Sequence, residues 1–469
     1  MAIAGAPPMT VASGDALSPR TRLLLEGPVS PTLLRLAAPN ALVMVLQAAV
    51  TTLDAVFVGW LGSDALAGVS LVFPLVMLMQ TMSAGGMGGG VASAVARALG
   101  AGRRADADAL VVHALVIGAA MAACFTLSLE LGGHALYAAM GGSGGVLDAA
   151  VLYSRVVFGG AIAYWLLNTL GSVVRGTGNM ALPAAVMIAT GLVYLVLSPA
   201  LILGWGPLPR LGIAGAATAS VTSFGLGSLA LLGFLLSRRS LVRPRLRHLR
   251  LRGRLFWEIL RVGAPGSLNT VLTNLTVVLL TSLVGPFGGT ALAGYGMGAR
   301  LEYLQIPIVF GLGSGLVTMV GTSVGAGDRA RALRVTWVGA GIAAAVTGAI
   351  GLLAASFPLA WLGLFTSDPA VLAAGTRYLT IVGPCYGFFG AGLALYFASQ
   401  GAGRLLWPLL AGFTRLLVAA AGGWVATRWL GAGLPALFVA MGAALVIFGI
   451  INVAAIRLGA WGGAGRRTT

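Results

Sequence analysis

The chain has 469 residues, of which 58% are hydrophobic and 9% charged. That balance excludes an ordinary soluble domain, which carries far more charge. The formal net charge of +17 would suit a nucleic-acid partner if the cations formed one soluble patch, but they fall between long apolar runs, and all 29 are arginine.

Residues 1–30 are rich in Pro, Ser and Ala and lack a charged start followed by an apolar run. They read as a disordered cytoplasmic segment with no cleavable signal peptide, and the first apolar run serves as its own insertion signal. That run extends from Leu33 to Leu61. Ala65 to Val95, Leu110 to Leu129, Ala150 to Val174, Leu182 to Leu203 and Ile213 to Leu236 follow. A second six comprise Ile259 to Val284, Ala291 to Val320, Val335 to Phe357, Tyr378 to Ala398, Leu405 to Val425 and Ala436 to Ile456. About 20 apolar residues cross the roughly 30 Å hydrocarbon layer as helix. The predicted fold class is therefore an all-α integral membrane protein with twelve transmembrane helices.

The arginines orient it. With the N-terminus inside, 23 of the 29 fall on cytoplasmic loops or helix ends, including Arg97, Arg175 and the nine from Arg238 to Arg261. Arg155, Arg210, Arg377 and Arg428 fall outside, and Arg300 and Arg415 lie within spans. The positive-inside rule places both termini in the cytoplasm. Cys124 and Cys385 lie in different runs, so no disulfide framework or metal spacing is present, and they read as small packing residues.

The two halves repeat. Arg35 and Pro39 meet Arg261 and Pro265, ALAG recurs at Ala65 and Ala291, Gly100 meets Gly325, Tyr153 meets Tyr378 and Pro183 meets Pro408, always at an offset of 225 or 226 residues. Each copy has an even number of spans, so the copies are parallel and related by an axis along the membrane normal. The domain reading is an N-lobe of six helices at 31–237, a basic cytoplasmic linker at 238–256, a C-lobe of six helices at 257–458 and a cytoplasmic tail at 459–469. The linker reads as solvated chain obeying the charge bias, with anionic lipid as its alternative contact.

Motifs for soluble chemistry fail. A phosphate-binding loop ending in Gly-Lys-Ser/Thr needs a lysine, and there is none. Gly321 to Gly325 matches G-x-S-x-G as a string but ends a membrane helix, not a strand-turn-helix. Asn274-Leu275-Thr276 is a glycosylation triplet in mid-span and carries no meaning there. No catalytic cluster, cofactor site or metal site is expected.

Charges inside spans are the informative residues, because each costs roughly 2.5–3.5 kcal/mol to place there. Asp54 lies in the outer half of the first span, and its counterpart in the second copy is Leu280. A carboxyl buried among apolar groups can load and unload a proton near neutral pH, so Asp54 reads as an exchangeable proton or cation site. Glu302 and Arg300 match Val76 and Pro74, and Arg415 matches Thr190. Glu302 reads either as a second coupling site or as one partner of an ion pair with Arg300 or Arg415. Gln47, Tyr153, Asn168, Tyr194 and Ser198 are polar residues within spans, Pro39 is a candidate hinge, and His113 reads as a helix-end interaction.

LLRLAAPN from Leu33, DAVFVGWLGSDALAGVS from Asp54, GMGGGVASAVARALGAG from Gly86, YSRVVFGG from Tyr153, VVRGTGN from Val173 and ALAGYGMGARLE from Ala291 resemble the multidrug and toxic compound extrusion (MATE) family over about Leu33 to Ile456. The resemblance implies two six-helix lobes around a cavity that faces each side in turn, and export of cationic or amphipathic drugs against proton or sodium flow. It also implies that Asp54 is the coupling acid, Pro39 the bending proline of its helix, and Tyr153 and Asn168 polar cavity residues. One departure bears on the ion. Where the similar branch carries a second Asp and an Asn in the fifth span, this sequence has Ser198 and Tyr194. A sodium site wants several hard oxygen ligands whereas a proton needs one carboxylate, so the expectation is a monomeric proton-coupled antiporter of small organic molecules in the plasma (inner) membrane. Its alternatives are a sodium-coupled exporter and a lipid-linked oligosaccharide flippase, which would use cavity arginines for pyrophosphate.

Overall fold

The computed structural model describes residues 18–244, 251–429 and 431–461, apart from the side chains of residues 45 and 48. The first 17 residues of the N-terminal segment, the middle of the basic linker (245–250) and the tail from 462 lie outside the described residues. Within them all regular structure is helical.

The N-terminal segment expected to be disordered through residue 30 carries helix α1 (Pro19–Glu26). The Ser18 side chain caps it by accepting from the Thr21 amide, and Pro19 suits the first turn, where no backbone donor is needed. Arg331 of the second half donates to the carbonyls of Leu24 at 3.0 Å and Gly27 at 2.6 Å, and Leu24 is buried. Helix α1 is thus tied across the two halves.

The first half continues with α2 (Val29–Gly59), then α3 (Ser63–Thr81), which passes through a π-helical turn at Met82–Met87 into α4 (Gly88–Gly100). Next come α5 (Arg104–Ala139), α6 (Gly144–Gly159), α7 (Ala161–Gly176), α8 (Ala181–Leu203) and α9 (Ile213–Leu236). The second half has α10 (Gly253–Val284), α11 (Gly289–Gly325), α12 (Arg329–Ser356), a short α13 (Pro358–Leu362), α14 (Pro369–Val382), α15 (Tyr386–Ala402), α16 (Leu406–Leu417) and α17 (Leu434–Arg457). Among the described residues, eleven helices are long and apolar enough to cross a membrane, and α6 with α7, bent by 45°, makes twelve. The bend falls at Gly160, where the side chain of Val221 from α9 occupies the space a Cβ would need.

Each half has its own apolar core, around Phe158, Trp165 and Leu170 in the first and Tyr378, Leu379 and Phe438 in the second. A third core straddles them, with Leu33 and Ala92 against Leu316, Val317 and Phe397. Apolar side chains gain nothing by leaving lipid for one another, so helices associate there through close backbone packing and hydrogen bonds. The seam shows both, and it shows the repeat. Gly100 packs on the Thr322 carbonyl while its counterpart Gly325 packs on the carbonyl of Arg97, the counterpart of Thr322. A Cβ on Gly86 would lie 2.6 Å from the Ser267 amide nitrogen, and one on its counterpart Gly311 would lie 3.4 Å from that of Ala41. These reciprocal contacts are what a two-fold axis between parallel copies generates.

Hydrogen bonds reinforce the same level. Ser93 donates to the Gln400 carbonyl at 2.6 Å, Gln400 Nε2 to the Gly85 carbonyl at 3.0 Å, Thr318 to the Arg175 carbonyl at 3.0 Å, and Asn40 to Ser314 at 2.5 Å. All of these lie toward the helix ends that carry the arginine-rich loops, hereafter the basic face.

The linker is less free than a solvated tether. At its described ends Asp108 accepts from the Arg243 amide at 2.8 Å, His113 Nε2 from the Arg252 amide at 2.9 Å, and Asp106 pairs with Arg254 at 2.8 Å. The His113 ring is buried, with Nδ1 2.8 Å from the Ala109 carbonyl. It anchors the linker to α5 rather than finishing a helix. Cys124 is exposed on α5, where it fills no packing gap, and Cys385 is half-buried.

Candidate functional site in two intramembrane pockets

The first-lobe pocket encloses about 730 Å³, including its part open to solvent. Helix α2 presents Gln47, Thr51 and Asp54 on one face, since positions 47, 51 and 54 follow the helical repeat. Gln80 of α3, Tyr153 of α6, Tyr164 of α7, Tyr194 of α8 and Ser220 of α9 close it. Asp54 is the sole carboxylate in this lining, and no arginine or histidine shares it. The Tyr194 hydroxyl donates to Asp54 Oδ1, and Ser198, fully buried behind it, lies 3.5 Å from the Tyr194 oxygen as its donor. Opposite, Tyr164 donates to Ser220 at 2.8 Å.

Of the polar residues singled out in the sequence, Gln47, Tyr153 and Tyr194 line this pocket and Ser198 backs it. Asn168 does not line it. Its Nδ2 donates to Ser83 at 2.9 Å in the π-helical turn between α3 and α4. Tyr164, Ser220 and Gln80 escaped the sequence reading, although Tyr164 and Ser220 face Phe389 and Leu445 in the repeat, an asymmetry that could have marked them. Pro39 lies inside α2, well below Asp54, and leaves the Arg35 carbonyl without its usual helical donor.

The second-lobe pocket encloses about 430 Å³. Glu302 of α11 meets Arg415 of α16 at 3.1 Å, and the Tyr378 hydroxyl donates to its other oxygen at 3.2 Å. The guanidinium also lies over Phe389 at 5.0 Å and Phe448 at 5.9 Å. Arg300 takes no part in this pair. It is exposed and sits over the Phe365 ring at 5.4 Å. The helical period explains why, since residues two apart point to different sides of a helix.

Two further arginines lie at the lobe seam, Arg97 buried and Arg175 half-buried, where the sequence places them only on loops or helix ends. Arg97 reaches Ser93 and donates to the carbonyls of Gly401 at 3.3 Å and Glu258 at 3.2 Å, both in the second lobe. Arg175 is half-buried and donates to Ser172 at 2.6 Å. The burial of Arg97 is not visible in the sequence, because its partners Gly401 and Glu258 belong to the opposite lobe.

The two pockets differ in what they can do. A carboxylate held by a neutral hydroxyl can gain a proton without leaving a buried counter-charge behind. A carboxylate paired with a buried guanidinium cannot, because neutralising it leaves the arginine uncompensated. Among the described residues, no three His, Cys, Asp or Glu side chains come together as a metal site.

The MatE family model matches residues 39–200 and again 265–425, the two copies of the repeat. The chain belongs to the MatE family. It is similar to a probable multidrug resistance protein, YoeA, of Bacillus subtilis, at 30% identity over 79% of this chain and 81% of the relative. It is also similar to a FAD transporter of Shewanella oneidensis, at 28% identity over 78% and 81%. Among solved structures, a MATE transporter in a bent conformation superposes with a TM-score of 0.88 at 24% identity, covering 95% of this chain and 98% of that one. A MOP superfamily transporter of Pyrococcus furiosus superposes at 0.86 and 23%, covering 95% and 99%. As a MatE protein the chain is a multi-pass membrane transporter and not an enzyme.

Proposed function

We propose that this transporter is a monomeric proton-coupled antiporter that exports cationic or amphipathic organic compounds across the plasma membrane, with Asp54 as the exchanging acid. The observation that carries the reading is the isolation of Asp54. It is the one carboxylate of an aromatic-walled pocket, held by the Tyr194 hydroxyl and by no cation. A sodium ion wants several hard oxygen ligands, whereas one carboxylate suffices for a proton. Relatives named for multidrug resistance support the substrate class.

The basic face is assigned to the cytoplasm by the positive-inside rule, which places both termini there and makes the lobe seam the inner gate. A proton arriving from outside neutralises Asp54 and removes the charge that holds Tyr194. Helix α2 then repacks above Pro39, the pocket wall moves, and substrate leaves outward. The membrane potential contributes about 2.3 kcal/mol per net charge moved per 100 mV.

The flippase alternative gains no observation. The two seam arginines, Arg97 and Arg175, are engaged with serine hydroxyls and, for Arg97, main-chain carbonyls of the gate. The test is ethidium efflux from efflux-deficient cells expressing the wild type or Asp54→Asn at matched levels. Loss of efflux in the variant supports the reading, and undiminished efflux overturns it.

A further inference from the structure

The two pockets are copies of one site. At the 225- or 226-residue offset, eleven of the fourteen residues lining the second-lobe pocket have counterparts lining the first, so the cavities descend from one duplicated pocket and are not unrelated voids. Tyr153 and Tyr378 hold the same place in each. Charge has moved between walls. The positions of Asp54 and its donor Tyr194 are filled by Leu280 and Ala419 in the second copy, while the positions of Val76 and Thr190 are filled by Glu302 and Arg415. Both copies keep one acid held by a tyrosine hydroxyl, but only the second adds a guanidinium.

We propose that Arg415 is a tethered cation filling the second-lobe copy of the exchange pocket, so that Glu302 stays ionised through the transport cycle and only the first lobe exchanges a proton. The inference rests on reading Asp54 as the exchanging acid. Arg415 is well placed for the part. It meets Glu302 at 3.1 Å, its guanidinium lies over the Phe389 and Phe448 rings, and both side chains of the pair are nearly buried, at 13% and 14% exposure. Such a pair is held both by charge-assisted hydrogen bonding and by the ring faces.

The other titratable groups near Glu302 are hydroxyls: Tyr378 of α14, Tyr386 of α15, and Tyr295 and Tyr303 of its own helix. The walls from α10 and α17 contribute Thr276 and apolar side chains. No second cation lines the pocket. Without Arg415 the acid would face neutral groups and no cation, as Asp54 does, and the pocket would take a proton.

The test replaces Arg415 by the residue of the first copy, Arg415→Thr. Infrared titration of the purified full-length protein in lipid vesicles runs from about pH 5 to about pH 9, the range into which burial moves carboxyl groups. Subtracting the spectra of Glu302→Gln, made in each background, isolates the Glu302 carboxyl. In the wild type its signal stays in the carboxylate band across the range. In R415T it converts to the protonated band within that range. A Glu302 signal that titrates in the wild type overturns the proposal, as does one that stays ionised in R415T. If R415T does not fold, the wild-type titration decides alone. Efflux by Asp54→Asn separates the two failures, because undiminished efflux there removes the Asp54 reading while leaving the Glu302 spectra unaffected.

Discussion

Arg97→Ala should open the lobes at the basic face. The wild-type guanidinium donates to two main-chain carbonyls of the opposite lobe, those of Gly401 at 3.3 Å and Glu258 at 3.2 Å. Hydrogen bonds from a charged donor contribute about 1.5–3 kcal/mol each, net of the water they replace. Both distances are long, which selects the lower figure, and the pair together then contributes about 3 kcal/mol. Ser93 keeps its own bonds to the Gln400 and Gly401 carbonyls and limits the loss to that amount. At about 1.4 kcal/mol per factor of ten, the closed-to-parted ratio should fall roughly a hundredfold. Spin labels at positions 104 and 329, on exposed residues at the starts of α5 and α12, report the gap by pulsed dipolar spectroscopy in a background lacking Cys124 and Cys385. The variant should show a second, longer distance that the wild type lacks. An unchanged distribution in a well-folded variant would refute the reasoning.

Glu302→Gln should lower the thermal unfolding midpoint of the purified protein, because removing one partner of a buried pair costs about 3–5 kcal/mol. E302V/R415T, which restores the first-copy residues, should regain most of that loss, and equal midpoints for the two variants would contradict the account. Gly90→Leu should abolish ethidium efflux, since a Cβ there lies 2.7 Å from the Gly263 amide nitrogen and 2.8 Å from the Ile259 carbonyl oxygen, both backbone atoms that cannot yield. Efflux retained in a normally inserted variant would mean that the seam never closes as described. His113→Phe should speed tryptic cleavage of the basic linker about tenfold, as the Arg252 amide loses an acceptor whose absence costs about 1–3 kcal/mol. Cleavage at the wild-type rate would show that the anchor contributes nothing.

Much of the fold was legible because lipid imposes a simple rule, that each crossing needs an apolar helical stretch that satisfies its own backbone. The repeat offset then fixed two lobes. The run from Ala150 to Val174 gave no sign of its bend, since Gly159 and Gly160 look like any of the small residues that let membrane helices approach. The π-helical turn at Met82–Met87 was equally silent within its glycine-rich run. Helix α1 is stabilised by Arg331 from the far half, a contact that local composition cannot register.

The site divides in the same way. Asp54, Glu302 and Arg415 stood out because charge in a membrane span is costly. Tyr164 and Ser220 did not, because hydroxyls are tolerated in spans and only tertiary packing brings them opposite Asp54. Arg300 and Arg415 looked interchangeable as partners of Glu302 until the direction of the helix face separated them. Asn168 shares its helix with Tyr164 but turns to Ser83.

The central claim is that one protonatable acid, Asp54, couples export to the proton gradient, and the most direct measurement is ethidium transport by the purified protein in vesicles under separately imposed pH and sodium gradients. The account expects wild-type flux to follow the pH gradient and ignore sodium, and Asp54→Asn to lose gradient-driven flux. Flux that follows sodium and ignores pH, or coupling that survives in Asp54→Asn, would contradict it.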